Sequence, residues 1–183
     1  MSNKPYAGTC RSGVANGLTG RSIRITTNNQ PITVCDLLQG EYTQLLESDI
    51  GDFIIKRTDG LFAYHLAVIV DDAEQGINEI VRGTDLLDST PRQIYLQQLL
   101  GFPTPRYLHL PIATNEDGSK ISKQSHAAAI EIEKPSKVIF EALQFLGQSP
   151  PSEAIDSDLD SLLNWSIKNW NISTIPKHKE ITI

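Results

Sequence analysis

Short apolar runs bounded by polar turns dominate the opening of the chain. Residues 31–34 and 51–56 have the composition of two short strands. The run at residues 62–73 is longer and more apolar than a half-exposed strand requires. It therefore predicts either a buried helix or a helix that passes into a strand, and periodicity alone does not separate the two.

The middle of the chain predicts a strand followed by a helix. Residues 77–82 alternate apolar and polar side chains and end before a glycine, which is typical of a strand. A helix is expected over residues 91–100, because Ser89 and Thr90 offer capping hydroxyls and Pro91 suits an early helical position.

The pattern changes toward the carboxyl end. Gly101 ends the predicted helix, alternation over residues 107–112 predicts another strand, and the Asn-Glu-Asp-Gly sequence at residues 115–118 predicts a turn. Residues 134–145 and 159–169 carry apolar side chains at helical spacing. Strands that alternate with helices, followed by a helical end, predict an α/β domain of the parallel, Rossmann-like kind with a helical appendage.

Composition narrows the class of protein. The chain has 183 residues, of which 39% are hydrophobic and 21% charged. These values exclude disordered and collagen-like classes, and no apolar stretch approaches the roughly 20 residues of a membrane span. We therefore expect no membrane partner and a cytoplasmic protein. The formal net charge of -6 argues against nucleic-acid binding by bulk basicity, although a local positive track stays possible.

Common cofactor motifs are absent from the sequence. The two cysteines, Cys10 and Cys35, are too few for a disulfide framework or a complete thiolate zinc site. No phosphate-binding Gly-x-x-x-x-Gly-Lys loop or dinucleotide fingerprint occurs. The four histidines do not have the spacing of a metal-binding motif, and none lies in a convincing Ser-His-Asp order. Each is therefore interpreted as structural.

Two small groups of residues are candidates for chemistry. Lys120 and Lys123 lie on one short loop, where two ammonium groups can offset charge on a phosphoryl group; the alternative is a solvated hairpin tip. Arg82 ends a predicted strand, where α/β proteins bind ligands, and Tyr64 is a possible second hydrogen-bonding partner for a carboxylate. The alternative for Arg82 is a surface ion pair with an aspartate, either Asp85 or Asp72.

Four segments carry a resemblance to a known family. They are residues 59–72, 75–77, 81–96 and the Lys-Ile-Ser-Lys-Gln loop at 120–124. Together they closely resemble the glutamyl-Q tRNA(Asp) synthetases, which are short paralogues of the catalytic domain of glutamyl-tRNA synthetase, a class I aminoacyl-tRNA synthetase. The resemblance covers nearly the whole chain at lower specificity.

The resemblance implies an activity and a set of site residues. Members of that family activate glutamate with ATP and Mg²⁺ and transfer it to the queuosine base in the anticodon of tRNA(Asp). By position, Tyr64 and Arg82 correspond to the glutamate-binding pair and Lys123 to the ATP-binding second lysine, with Lys120 beside it. The loop departs from the general Lys-Met-Ser-Lys-Ser pattern, because it has Ile121 and Gln124 in place of Met and Ser.

The resemblance also implies a zinc site that this sequence only half supplies. Tyr6 and Cys10 match the family's Tyr-x-x-x-Cys element, but zinc needs about four ligands and the expected Cys-x-Cys pair has no counterpart here. The opening strand and the His-x-Gly-His type ATP motif also have no counterpart. We therefore expect a class I catalytic domain that lacks its first βα units and is inactive alone, with a separate chain as a possible supplier of the missing part.

Three regions and two competing functions complete the prediction. Residues 1–50 are expected to be a remnant of the zinc-binding insertion with connecting strands, 51–133 the second half of the Rossmann-like domain, and 134–183 a helical subdomain. One alternative function is a non-catalytic module that binds glutamate or tRNA. The other is a fragment of ordinary glutamyl-tRNA synthetase.

Overall fold

The computed structural model describes residues 4–14, 22–122 and 129–183. Strands and helices are mixed along this part of the chain. In chain order the elements are β1 (Ile23–Ile25), β2 (Pro31–Asp36), β3 (Gly40–Leu45), α1 (Leu46–Asp49), β4 (Phe53–Lys56), α2 (Tyr64–Glu74), β5 (Glu79–Gly83), α3 (Thr90–Leu100), β6 (Arg106–Leu110), β7 (Ile112–Thr114), α4 (Pro135–Phe145), α5 (Leu159–Asn169) and β8 (Glu180–Thr182).

The chain divides into two compact units. The first unit comprises Met1–Val81 and Leu86–Leu108, and the second comprises Arg82–Asp85 and His109–Ile183. The division of the sequence into residues 1–50, 51–133 and 134–183 stays a prediction. None of the helices in the described part of the chain is long and apolar enough to span a bilayer.

An antiparallel hairpin and two helices form the core of the first unit. β2 and β3 pair in register from Pro31 with Leu45 to Asp36 with Gly40. β2 alternates exposed and buried residues, as a strand with one face on the core must. Phe53 of β4, Ile69 of α2 and residues of α3 pack on that face. The buried members of this core are Ile32, Val34, Leu46, Phe53, Ile69, Ile94, Leu96 and Tyr107.

The long apolar run of the sequence forms a helix, and no strand follows it directly. α2 buries only Ile69 fully, while Leu66, Val68 and Val70 are partly buried against the core. The helix is therefore less enclosed than the composition of the run suggested. Gly76, at φ +67°, adopts the left-handed conformation that commonly follows a helix end.

α3 forms as predicted, but its start is stabilised differently. Pro91 occupies the first turn, as expected. Neither predicted hydroxyl serves as a conventional cap among the described contacts: Ser89 Oγ accepts a hydrogen bond from Arg92 Nη2 at 3.1 Å, and Thr90 Oγ1 donates to Leu86 O at 3.2 Å. The preceding segment, Thr84–Ser89, is a 3-10 helix that leads directly into α3.

Strands of distant sequence pair in the second unit. The predicted strand at residues 107–112 is divided into β6 and β7 at Pro111, which has no N–H to donate. β7 pairs in parallel with β8, from Ile112 with Glu180 to Thr114 with Thr182. The strand β8 was not predicted, because the tail was expected to be helical.

The carboxyl-terminal helices have their own small core. α4 and α5 were predicted almost to the residue. Phe140 and Leu143 of α4, Ala154 of the intervening 3-10 helix and Leu162 of α5 form a buried cluster, with Trp165 packed against it.

Candidate active site

Arg82 is held by a buried histidine. β5 and β6 pair in one sheet, and Arg82 Nε donates to Nε2 of His109 at 3.0 Å. Arg82 is half-buried, whereas the exposure of His109 is 0%. From the sequence, this histidine was interpreted as structural, and no local pattern connects it with Arg82. The signal that could have found it is a polar ring in the middle of an apolar strand.

Lys120 sits at the end of a tight hairpin. Thr114 and Lys120 form an antiparallel bridge, and the turn is closed by Asn115 N donating to Ser119 O at 2.9 Å. Lys120 Nζ binds Oδ2 of Asp85 at 2.5 Å, with the two side chains 47% and 37% exposed. The turn predicted at residues 115–118 is therefore confirmed.

Gly83 gives Asp85 the room that this ion pair needs. A Cβ at residue 83 would lie 2.5 Å from Asp85 Oδ1 and 3.0 Å from Ile112 Cγ2. The first distance is shorter than real contacts allow, so any side chain at residue 83 would displace the carboxylate that binds Lys120. The strand end, its glycine and the lysine hairpin thus form one local arrangement within the second unit.

The other residues expected to bind the nucleotide and glutamate, Lys123 and Tyr64, remain predictions. Lys123, together with Gln124, lies outside the described residues. Tyr64 belongs to the first unit, where it is the first residue of α2, and its exposure is 54%. Its ring contacts the ring of His65 edge-on at a centroid distance of 5.7 Å.

Tyr6 and Cys10 lie close to each other in the first unit. The backbone N–H of Cys10 donates to Tyr6 Oη at 3.1 Å, and Arg24 stacks over the Tyr6 ring at 4.1 Å. Within residues 4–14, 22–122 and 129–183, no group of three or more His, Cys, Asp or Glu side chains could hold a metal ion. The described residues thus supply two of the about four ligands that zinc needs. They do not by themselves fit a zinc ion.

A charged network that sequence analysis missed fixes the segment carrying Tyr6 and Cys10. Arg11 donates to both carboxylate oxygens of Asp52, at 2.8 and 2.7 Å, and to Glu47 at 2.7 Å. Asp52 is 3% exposed and also accepts from Thr27 N at 2.9 Å. These bonds, first of all those from Arg11, lower the pKa of Asp52 to about 2 against the opposing effect of burial. Asp52 is therefore ionised at neutral pH.

A second charged group lies at the start of α3. Burial, followed by a hydrogen bond with Asp88, raises the pKa of Tyr42 to about 12. Burial lowers the pKa of Arg92, while the charges of Asp88 and Tyr42 oppose that change. Tyr42 is distant in sequence from Asp88 and Arg92, so no local motif could have predicted the group.

Comparison with known proteins shows the family to which the chain belongs. The sequence model described as "tRNA synthetases class I (E and Q), catalytic domain" matches residues 12–157, most of the chain. The chain belongs to this family of class I synthetases.

Curated relatives of this synthetase chain are named glutamyl-Q tRNA(Asp) synthetase. The relative from Chromobacterium violaceum is 48% identical over 93% of the chain and 57% of its own length. For Thiobacillus denitrificans the identity is 47%, over 94% of the chain and 58% of the relative. The relative from a Janthinobacterium species is 50% identical over 82% of the chain and 53% of its own length. The chain thus spans little more than half the length of these relatives.

Solved structures confirm the α/β fold of a class I synthetase catalytic domain. The glutamate-tRNA synthetase of Elizabethkingia anophelis superimposes with a TM-score of 0.71 at 20% identity, covering 97% of the chain and 42% of that structure. The glutamate tRNA ligase of Elizabethkingia meningosepticum, solved in complex with its amino acid, gives a TM-score of 0.70 at 20% identity, covering 97% of the chain and 41% of that structure.

Proposed function

We propose that the protein to which this chain belongs activates glutamate with ATP and transfers it to queuosine in the anticodon of tRNA(Asp). The observation that carries the proposal is the identity of 42% to 50%, over most of the chain, with relatives named glutamyl-Q tRNA(Asp) synthetase. Because the proposed tRNA substrate is cytoplasmic, we also propose a cytoplasmic location.

Arg82 is the proposed anchor of the amino acid, with Tyr64 as its partner in binding glutamate. A guanidinium pairs with a carboxylate through two parallel N–H···O bonds, which fixes both position and orientation. Glutamate has two carboxylates, and the α-carboxylate must attack the α-phosphate of ATP to form the adenylate. Arg82 therefore holds the side-chain carboxylate and leaves the α-carboxylate to react.

Lys120 and Lys123 are the proposed contacts to the phosphates. As the α-carboxylate oxygen bonds to the α-phosphorus, pyrophosphate leaves with its negative charge, and ammonium groups at that place stabilise the transition state. The pair between Lys120 and Asp85 is exposed, and such pairs contribute only about 0–1 kcal/mol. A triphosphate carries more negative charge than one carboxylate, so ATP can displace Asp85 as the ion-pair partner of Lys120. MgATP enters this scheme as a substrate.

The proposed chemistry needs no nucleophile from the protein. The substrate carboxylate attacks ATP directly, and the proposed acceptor on queuosine is a hydroxyl of its cyclopentenediol ring. The protein contributes orientation and charge, which account for most of the catalysis in phosphoryl-group chemistry. Tyr6 and Cys10 are proposed as zinc ligands only together with further ligands, and no step of the proposed reaction depends on them.

Disruption of the gene in the source organism tests the proposal on the protein as the cell makes it. Nucleosides of purified tRNA(Asp) are separated and weighed by mass spectrometry. We expect glutamyl-queuosine to disappear and unmodified queuosine to accumulate in the disrupted strain. The intact gene should restore the modification, Arg82→Met should not, and Lys137→Met should restore it, because Lys137 is exposed on α4 and pairs only weakly with Glu141.

Other outcomes identify the alternative functions. A fall in glutamylation of tRNA(Glu), with the queuosine of tRNA(Asp) unchanged, would indicate part of an ordinary glutamyl-tRNA synthetase. If neither tRNA changes while the purified chain still binds glutamate, the chain is a binding module.

A further inference from the structure

We infer that Phe62 and Lys56 form a stacking platform for one unpaired base of the tRNA anticodon loop: the base stacks on the phenyl ring, and the adjacent phosphate contacts the ammonium group. This inference rests on the proposed function, because it assigns a contact in the first unit to the proposed tRNA substrate. Both residues belong to the hairpin of residues 55–63, which leads into α2.

The exposure of Phe62 is the first step of the argument. Phe62 is 62% exposed, although its side chain is a large apolar ring. Exposed apolar residues are ordinary on protein surfaces, so this exposure alone indicates no function. Phe62 differs from such residues because Nζ of Lys56 lies over its ring, 5.6 Å from the centroid. An ammonium group at this distance is attracted to the ring face, so the ring and the cation form one joint surface.

Backbone hydrogen bonds hold this surface in a fixed geometry. Phe62 forms an antiparallel bridge with the last residue of β4. Arg57 N donates to Leu61 O at 2.8 Å on one side of the bridge, and Ala63 N donates to Ile55 O at 2.9 Å on the other. The backbone beneath the ring is therefore ordered before a ligand binds. An aromatic side chain on such a support loses little conformational entropy when a base stacks on it.

The charges of the hairpin favour an anion beside the ring. Arg57 pairs with Asp59 at 2.7 Å, so these two charges offset each other. In the described part of the chain, no carboxylate forms an ion pair with Lys56. Every nucleotide of RNA offers a base with a π face and a phosphate. Single-stranded RNA is bound by this combination of aromatic stacking and cationic contact.

The stacking platform lies close to a proposed glutamate-binding residue of the same unit. Phe62 precedes Tyr64 by two residues, and two residues of extended chain span at most about 7 Å. Queuosine reaches the activated glutamate only when the bases of the loop separate from one another. A neighbouring base that stacks on Phe62 stabilises this open form of the loop. The platform thus gives a chain with a net charge of -6 a local contact for RNA.

Substitutions at the stacking platform have matched controls on the same chain. Phe62→Tyr keeps an aromatic face, whereas Phe62→Leu keeps an apolar side chain without one. Lys56→Gln removes the charge. Leu61→Ala is the control for the ring, because Leu61 is adjacent and also 62% exposed. Lys137→Gln is the control for the charge, because Lys137 lies on α4 in the second unit.

Binding is measured by fluorescence anisotropy on the whole 183-residue chain, with a labelled stem-loop RNA that carries the anticodon loop of tRNA(Asp). We expect Phe62→Tyr to bind within about twofold of the unmodified chain and Phe62→Leu to bind at least about fivefold more weakly, since stacking on an aromatic ring has effects of this order. Leu61→Ala should not change the affinity. Thermal melting checks that each variant is folded.

Salt dependence separates the contribution of the ring from that of the charge. One phosphate contact to a single strand contributes about 0.7 to the slope of log affinity against log salt concentration. Lys56→Gln should weaken binding and make this slope shallower by about 0.7. Phe62→Leu should leave the slope unchanged, and Lys137→Gln should change neither the slope nor the affinity.

The binding results decide on the inference separately from the proposed function. Equal affinity of Phe62→Leu and the unmodified chain overturns the inference alone, as does the absence of stem-loop binding by the unmodified chain. Equal losses in Phe62→Leu and Leu61→Ala also overturn it, because they would indicate an apolar surface that contacts another protein segment.

The disrupted strain tests the same residue in the cell. A gene with Phe62→Tyr should restore glutamyl-queuosine, and a gene with Phe62→Leu should restore less of it. Full restoration by Phe62→Leu contradicts the inference and leaves the proposed function intact. A disrupted strain that retains its glutamyl-queuosine overturns the proposed function, and the inference falls with it.

Discussion

The carboxylate of Asp52 gives the sharpest test of the energetics of the first unit. Asp52→Asn keeps the shape of the side chain and removes its charge. Asp52 is 3% exposed, and both residues described above that donate to its carboxylate, Arg11 and Thr27, are distant from it in sequence. The substitution therefore weakens a buried charge-assisted network and alters no exposed surface.

The magnitude follows from the pKa of Asp52. Its value falls from 3.8 to about 2, and each pKa unit corresponds to about 1.4 kcal/mol, which gives an upper value of about 2 kcal/mol. Arg11 is 35% exposed, so water partly screens the pair and we expect a loss of about 1–2 kcal/mol. The folded state has the lower pKa, so this contribution is complete above the unfolded value of 3.8 and is lost as the pH falls through about 2.

Urea denaturation of the unmodified chain and of Asp52→Asn between pH 7 and pH 2 measures this difference. Asp59→Asn is the matched control, because Asp59 also pairs with an arginine at 2.7 Å but is 44% exposed. We expect the control to cost less than about 0.5 kcal/mol. A difference for Asp52→Asn that stays constant down to pH 2, or that does not exceed the control, would refute the reasoning.

Two further substitutions test the local arrangements of each unit. Gly83→Ala should displace the Asp85 carboxylate and lower the free energy of unfolding by about 1 kcal/mol; thermal melting in an Asp85→Ser background should show the penalty largely removed, and an equal penalty in both backgrounds would contradict the clash. Leu46→Ala, at a fully buried position, should cost about 2–5 kcal/mol in chemical denaturation, whereas Leu61→Ala, at 62% exposure, should cost little; similar losses at the two positions would exclude the described core.

Helices were the part of the fold that the sequence predicted best. α4 and α5 carry apolar residues at helical spacing, and α3 has clear terminal residues in Pro91 and Gly101, so their bounds follow from local information. β3 and β8 were missed because pairing with another strand, and not a local sequence pattern, makes each of them a strand. β8 pairs with β7, which precedes it by more than sixty residues, and a three-residue strand has no periodicity of its own.

The charged residues of the candidate site were predicted from the sequence, but the partners that bind them were missed. Arg82 and Lys120 attract notice as cations at a strand end and on a loop. Their partners, His109 and Asp85, lie 27 and 35 residues away in sequence. Such residues come together only when β5 pairs with β6 and the hairpin closes. The charged side chains of the site can therefore be recognised in the sequence more readily than the residues that hold them in place.

The pairing of β7 with β8 has a practical consequence for assays. Ile183 N donates to Thr114 O at 3.1 Å, so the final residues run beside the strand that leads into the lysine hairpin. A purification tag or fluorophore fused directly after Ile183 would crowd that hairpin and disturb any nucleotide measurement. Labels placed on the outer surface of α5 avoid the problem, and Ile167 is 78% exposed there.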